Sequence, residues 1–128
     1  MANDRHGRFH WNELLTNDVE AAKTFYGEIM GWTYDKMRGP EGIYYVAFKS
    51  NNPVCAIAPM PAAAAADMQA HWFSYIEVDQ LDASISSAKT AGATVLRDPL
   101  DVPDVGRIAI VQDPTGAVVG WVTPDFND

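Results

Sequence analysis

One series of strands and helices occurs twice within these 128 residues, and that repeat constrains the fold more than any single motif. Residues 9–15 read as a strand, aromatic and apolar, ending at Thr16-Asn17-Asp18. Asp18 (or Asn17) suits a helix N-cap. Val19, Ala22, Phe25, Tyr26 and Ile29 then mark one face of an amphipathic helix, and Gly31 stops it. Strand-like runs follow near 32–37, 42–49 and 53–60, with turns at Gly39-Pro40-Glu41-Gly42 and Ser50-Asn51-Asn52-Pro53. Residues 61–70, with five consecutive alanines, lack an apolar stripe and read as a linker with at most a helical turn. The series then restarts. Residues 72–78 read as a strand, and Asp79-Gln80 opens a helix with Leu81, Ile85, Ala88 and Ala91 on one face, stopped by Gly92. Strands near 93–97, 106–112 and 117–123 complete the copy, with a tight turn at Asp113-Pro114-Thr115-Gly116. The copies start 62 residues apart, Trp11 matching Phe73 and Thr16 matching Val78. The expected fold is α+β: one domain of two βαβββ modules, about 8–60 and 71–124, that bury their sheets against helices on one face and leave a curved concave face on the other.

Composition narrows the function classes. Nine Lys and Arg against 17 Asp and Glu give a net charge of −8, which argues against nucleic acid and anionic membrane, since both need a basic face. Residues 71–128 alone carry net −6. The single cysteine, Cys55, excludes an intramolecular disulfide and a cysteine-rich zinc site, and its apolar neighbours predict a buried, inert thiol. No apolar run approaches the ~18 residues that span a bilayer, and the opening residues lack the apolar core of a signal peptide. A cytoplasmic protein is the expectation. No Gly-x-Ser-x-Gly context, phosphate-binding glycine loop or dinucleotide fingerprint is present.

Motifs in order along the chain carry a resemblance. Trp11-Asn12-Glu13-Leu14, Thr16, Asp18, Phe25-Tyr26 and Gly31-Trp32 resemble the N-terminal module of the vicinal oxygen chelate superfamily, the glyoxalase, bleomycin-resistance and extradiol-dioxygenase group. His71-Trp72, Tyr75, Val78-Asp79, Ala91-Gly92-Ala93, Val105-Gly106-Arg107 and Asp113-Pro114-Thr115-Gly116-Ala117 are similar to its second module. The resemblance spans roughly residues 8–124. It implies paired modules forming an eight-stranded cupped mixed sheet with helices on the outer face and, in many short members, sites completed by dimerisation. It does not choose among isomerases, transferases, dioxygenases and drug-binding proteins.

Glyoxalase-like members hold a divalent metal with four side chains, one from the first and one from the last strand of each module. Carried onto this chain, those positions are Trp11, Phe73, Gly120 and about Ala56. None has a metal donor, so the expectation is no metal and no cofactor. An atypical site from His71, Glu13 and Glu77 would need unusual geometry. His10 should face away from Trp11 by strand alternation, and His71 reads as a rim histidine or, less favoured, a ligand.

Alternation places Trp11, Glu13 and Leu15 on one face of the first strand and Phe73, Tyr75 and Glu77 on the matching face of the fifth. An aromatic floor of Trp11 and Phe73, with small Gly120 and Ala56 opposite, describes a small-molecule pocket. The competing reading is that the two rings fill the space a metal leaves. Glu13 is the sharpest candidate, as a general base or as an anion for a cationic ligand. Glu77 lies nearer the helix start and is expected to be more exposed. Arg107 either clamps a ligand carboxylate or pairs with an aspartate. The expectation is a metal-independent small-molecule-binding protein that forms a homodimer, with Trp11, Glu13, Phe73, Tyr75, Glu77 and Arg107 as ligand contacts. The alternative is a metal-independent isomerase or lyase using Glu13 as base; a metal-dependent glyoxalase- or dioxygenase-like enzyme is the reading these positions oppose.

Overall fold

The computed structural model describes residues 4–39, 42–61 and 68–125. Its elements are β1 (Phe9–Thr16), α1 (Val19–Met30), β2 (Thr33–Gly39), β3 (Gly42–Lys49), β4 (Asn52–Pro59), β5 (His71–Glu77), α2 (Leu81–Thr90), β6 (Thr94–Val102), β7 (Gly106–Gln112) and β8 (Val118–Pro124). The fold class is α+β, from two βαβββ modules. Strand order is β2-β3-β4-β1 in the first module and β5-β8-β7-β6 in the second. In each, the outer strands pair antiparallel and the first and last strands of the module pair parallel. The repeat holds at the level of register: Glu13 partners Ala56, and Tyr75, 62 positions after Glu13, partners Gly120. By contacts the chain divides into two compact units, Trp11–Phe73 and the remainder up to His10 with that from Ser74 onward. Most of the expected linker, residues 62–67, lies outside the described residues, as do Pro40 and Glu41 of the first turn.

Local chemistry sets the α1 boundaries. An Asp18 side-chain oxygen accepts the Ala21 N–H at 3.0 Å, satisfying one of the helix's orphan donors. Gly31 takes φ 74°, the left-handed cap that ends the helix. Ser50 and Asn51 both have positive φ, as a two-residue hairpin turn demands, so β4 starts at Asn52 rather than after it. β6 runs five residues past its expected end. It is the outer strand of its module, where Pro99 needs no ladder donor, and its register shifts between Arg97 and Leu100 absorb the irregularity.

The face that α1 turns to its sheet differs from the expected one. Phe25 and Ile29 are exposed, and the half-buried positions are Val19, Ala22, Lys23, Tyr26 and Gly27, which also recur at helical spacing. The sheet explains the rotation. Tyr34 donates its hydroxyl to the Lys23 carbonyl at 2.9 Å, and the Lys23 ammonium sits 3.6 Å from the Tyr45 ring centroid, a cation–π contact. Gly27 carries no side chain where Tyr34 and Trp32 come close. Tyr26 stacks on Trp32 at 5.1 Å and meets Trp72 edge-on at 5.6 Å. In the second module, Leu81, Ile85 and Ala88 of α2 are buried as expected, and Leu81 and Ile85 pack with Val78, Ala109 and Val111; Ala91, the fourth residue of the expected face, lies past the helix end and is exposed. Among the described residues no helix is long and apolar enough to cross a membrane.

Candidate functional site

In the first module, Tyr45 lies under Lys23 of α1 and partners Ile57, which in turn partners Leu14. These residues face the helix. Alternation therefore puts Trp11, Glu13 and Leu15 of β1 on the opposite, helix-free face. The register extends the Glu13 row across the module, to Ala56, Val46 and Asp35. Trp11, Glu13 and Leu15 are half-buried, while Ala56 is buried. A ring, a carboxylate and a methyl-sized neighbour thus share one surface. Tyr44 and Met37, partners of each other, lie on this face too. The pairing register of β2 and β3 fixes their face, since single-strand alternation has no absolute phase. Phe73 is buried.

In the second module, Trp121, Ala109 and Val111 pack toward α2. Ile76 partners Trp121, so Tyr75, Glu77 and Gly120 lie on the helix-free face. Glu77 departs from the expected exposure: its side chain is 3% exposed. The N-terminal residues cover it. Glu77 donates its N–H to the Arg8 carbonyl at 2.8 Å, and the Gly7 N–H donates to the Glu77 carbonyl at 2.7 Å. Arg5 Nε donates to Glu77 Oε2 at 3.1 Å, and His10 Nδ1 lies 3.5 Å from Oε1. Both carboxylate oxygens are thus engaged by protein, as a buried carboxylate requires.

Arg107 has the aspartate-paired role. Its Nε and Nη2 reach the two oxygens of Asp82 at 3.1 and 3.2 Å, and Nη1 reaches Asp101 at 3.1 Å. The hydrogen bonds it donates to Asp82 and then to Asp101 push its already high pKa further up. Arg107 shares parity with Ala109 and pairs with the helix that carries Asp82, so it lies on the face opposite Tyr75. The ring Nδ1 of His71 is 2.8 Å from the Gln69 carbonyl. Cys55 is buried, and burial pushes its thiol up to about 11. Among the described residues no three of His, Cys, Asp and Glu gather as a metal-ligand group. With Trp, Ala, Phe and Gly at the positions carried over from the resembling family, the donor chemistry does not fit a divalent ion.

The family model described as Glyoxalase/Bleomycin resistance protein/Dioxygenase superfamily matches residues 8–120. CFP32 of Mycobacterium tuberculosis, named provisionally as a glyoxylase, is 41% identical over 118 residues, covering 91% of this chain and 45% of its own length. The anthracycline biosynthesis protein DnrV of Streptomyces peucetius is 31% identical over 119 residues, covering 84% of this chain and 43% of its own. The chain thus spans less than half the length of these curated relatives. Among solved structures, methylmalonyl-CoA epimerase from Mycobacterium tuberculosis superimposes with TM-score 0.71 at 13% identity, covering 98% of this chain and 93% of that one. Homoprotocatechuate 2,3-dioxygenase from B. fuscum does so with TM-score 0.65 at 13% identity, covering 95% and 34%. At these identities the likeness is one of fold.

Proposed function

Because this chain belongs to the Glyoxalase/Bleomycin resistance protein/Dioxygenase superfamily, we propose that it binds a small organic molecule, planar in part and bearing a cation, without a metal ion. The observation that carries this reading is the helix-free face of the first module, where Trp11 and Glu13 share a surface with Ala56 directly across from the carboxylate. Trp11 offers a π face for a planar ring, Glu13 a charge for an amine, and Ala56 leaves room beside them. The DnrV relative, named for anthracycline biosynthesis, supports a planar polycyclic ligand. Tyr75 lies on the corresponding helix-free face of the second module, opposite Gly120, and is a contact of that module's own face in this reading. Glu77 and Arg107 are not, because their charged atoms are committed to Arg5 and to Asp82 and Asp101. The protein acts in the cytoplasm as a homodimer.

A second reading uses the same carboxylate as a base. Glu13 takes a proton from a carbon next to a carbonyl, the C–H electron pair passes to the enolate, and the proton returns to carbon to complete an isomerisation.

One titration separates the readings. An anthracycline bearing an amino sugar, followed by fluorescence in chelator-treated buffer, is expected to bind the wild-type protein. Glu13→Gln is expected to weaken it about 3–10-fold, and Trp11→Ala more. Binding that disappears with chelator and returns with a divalent ion would overturn metal independence. If Glu13→Gln keeps full affinity for a substrate yet abolishes its turnover, the enzyme reading replaces the binding one.

A further inference from the structure

The strands of the first module sort their charges by sign. Among the described residues, β1 to β4 carry five acidic or basic side chains: Glu13, Asp35, Lys36, Arg38 and Lys49. The three cations lie on the helix face. Lys49 Nζ donates to the Met30 carbonyl of α1 at 2.9 Å. Lys36 and Arg38 share the parity of Tyr34, whose hydroxyl donates to the Lys23 carbonyl of α1. The two anions lie on the helix-free face, at opposite ends of the row that runs Glu13, Ala56, Val46, Asp35. Three strand spacings separate them, about 14 Å at the backbone.

The row between the carboxylates is apolar and low. Ala56 is buried and Val46 half-buried. One pleat to one side stand Trp11 and Phe48; one pleat to the other stand Leu15, Tyr44 and Met37. Phe48 holds this phase because the β2–β3 register runs unbroken from Thr33 and Phe48 to Met37 and Tyr44. Asp35 is exposed, and aspartate is disfavoured in strands. Its cross-strand neighbours on this face are Val46, Tyr44 and Phe48, none of them a cation. At about 14 Å the two carboxylates are also further apart than the ~8 Å over which salt leaves charges coupled. They do not share one counterion; each takes its own.

We infer that Asp35 is a second anchor for the ligand of this face, which makes the ligand class an elongated dication, two ammonium or amidinium groups joined by a flat apolar middle. The inference rests on the cation-binding reading of Glu13 above and adds the far end of the ligand. One cationic end pairs with Glu13 beside Trp11. The middle lies over Ala56 and Val46, where side chains are small and uncharged. The other end pairs with Asp35 on the outer strand. A monocation engages one carboxylate only.

The test compares an aryl-linked diamine, its two ammonium groups roughly 10–14 Å apart to match the row, with the monoamine of the same core. Both are titrated by calorimetry at low salt into the whole protein. Wild type is expected to favour the diamine, and Asp35→Asn to cut that advantage about three- to fivefold, the upper range for an exposed ion pair. Glu28→Gln removes the same charge from the exposed side of α1 and is expected to keep the advantage whole. An advantage that falls equally in Glu28→Gln would make it a property of the acidic chain at large and overturn the inference. A diamine that gains nothing over the monoamine, while Glu13→Gln still weakens the monoamine, removes Asp35 and leaves the binding reading standing. Failure of both amines to bind overturns the two together.

Discussion

Arg5 Nε donates to Glu77 Oε2 across 3.1 Å, although the two residues are 72 positions apart in sequence. The arginine side chain is half exposed and the glutamate is buried. The pair therefore anchors the N-terminal residues to the end of β5 while keeping an otherwise costly carboxylate satisfied. Arg5→Ala leaves that carboxylate with His10 as its remaining named partner. It should lower unfolding free energy by about 1–3 kcal/mol, measured by urea denaturation. Glu77→Gln in the Arg5→Ala background should restore part of the loss, because a neutral amide costs less to bury than a charge. No change in the single variant would show the pair to be incidental.

Gly27 is a helix-interior glycine with ordinary backbone geometry. A Cβ placed there would meet the Trp32 carbonyl at 3.6 Å and Tyr34 Cε2 at 3.7 Å, which is normal packing distance. Gly27→Ala should therefore raise stability by roughly 0.5–1 kcal/mol, the ordinary gain of alanine over glycine in a helix. Gly27→Leu should lower it, because the longer side chain must displace Tyr34 and lift the Lys23 ammonium off Tyr45. Thermal unfolding of the two variants against wild type reads both signs.

Cys55 gives a pH dependence with a definite sign. Burial raises its thiol from the ordinary 9.0 to about 11, so the folded state disfavours the thiolate. The unfolded chain releases its proton first, and the contribution is present below pH 9 and is lost as pH rises toward 11. Tyr34, also raised by burial, adds a loss above pH 10 in the same direction. Stability should fall across this alkaline window, and Cys55→Ala should flatten its lower part. Native protein at pH 8 should resist iodoacetamide and react on unfolding, because the thiolate is the nucleophile. Rapid labelling of folded protein would contradict the burial.

The α1 face shows how far periodicity carries and where it stops. Val19, Ala22 and Tyr26 are legible as contact positions because they are apolar at helical spacing. Phe25 and Ile29 fit the same template, yet they point outward. Hydrophobicity alone ranks them above Lys23 and Gly27, but the sheet offers two tyrosines. Against those, an ammonium over a ring and a bare Cα pack better than a second apolar layer. The candidate site divides in a similar way. Trp11 and Glu13 share a face by alternation alone, and the placement of Ala56 opposite them follows from the parallel register. The partners of Glu77 and Arg107 do not follow from any local rule.

The sequence by itself determined the repeated βαβββ order, the helix caps at Asp18 and Gly31, the alternation that puts Trp11 and Glu13 on one face of β1, and the lack of metal donors at the four positions carried over from the resembling family. Each of these depends on a residue and its near neighbours, within a turn or a strand pleat. Only the tertiary structure decided that Glu77 is buried under Arg5, that Arg107 is spent on Asp82 and Asp101, and that the Phe25–Ile29 stripe is left to solvent. Those outcomes depend on which groups from distant parts of the chain arrive at one place. Side-chain charge and size state what a residue requires, whereas the register of the strands and the rotation of the helices fix what it meets.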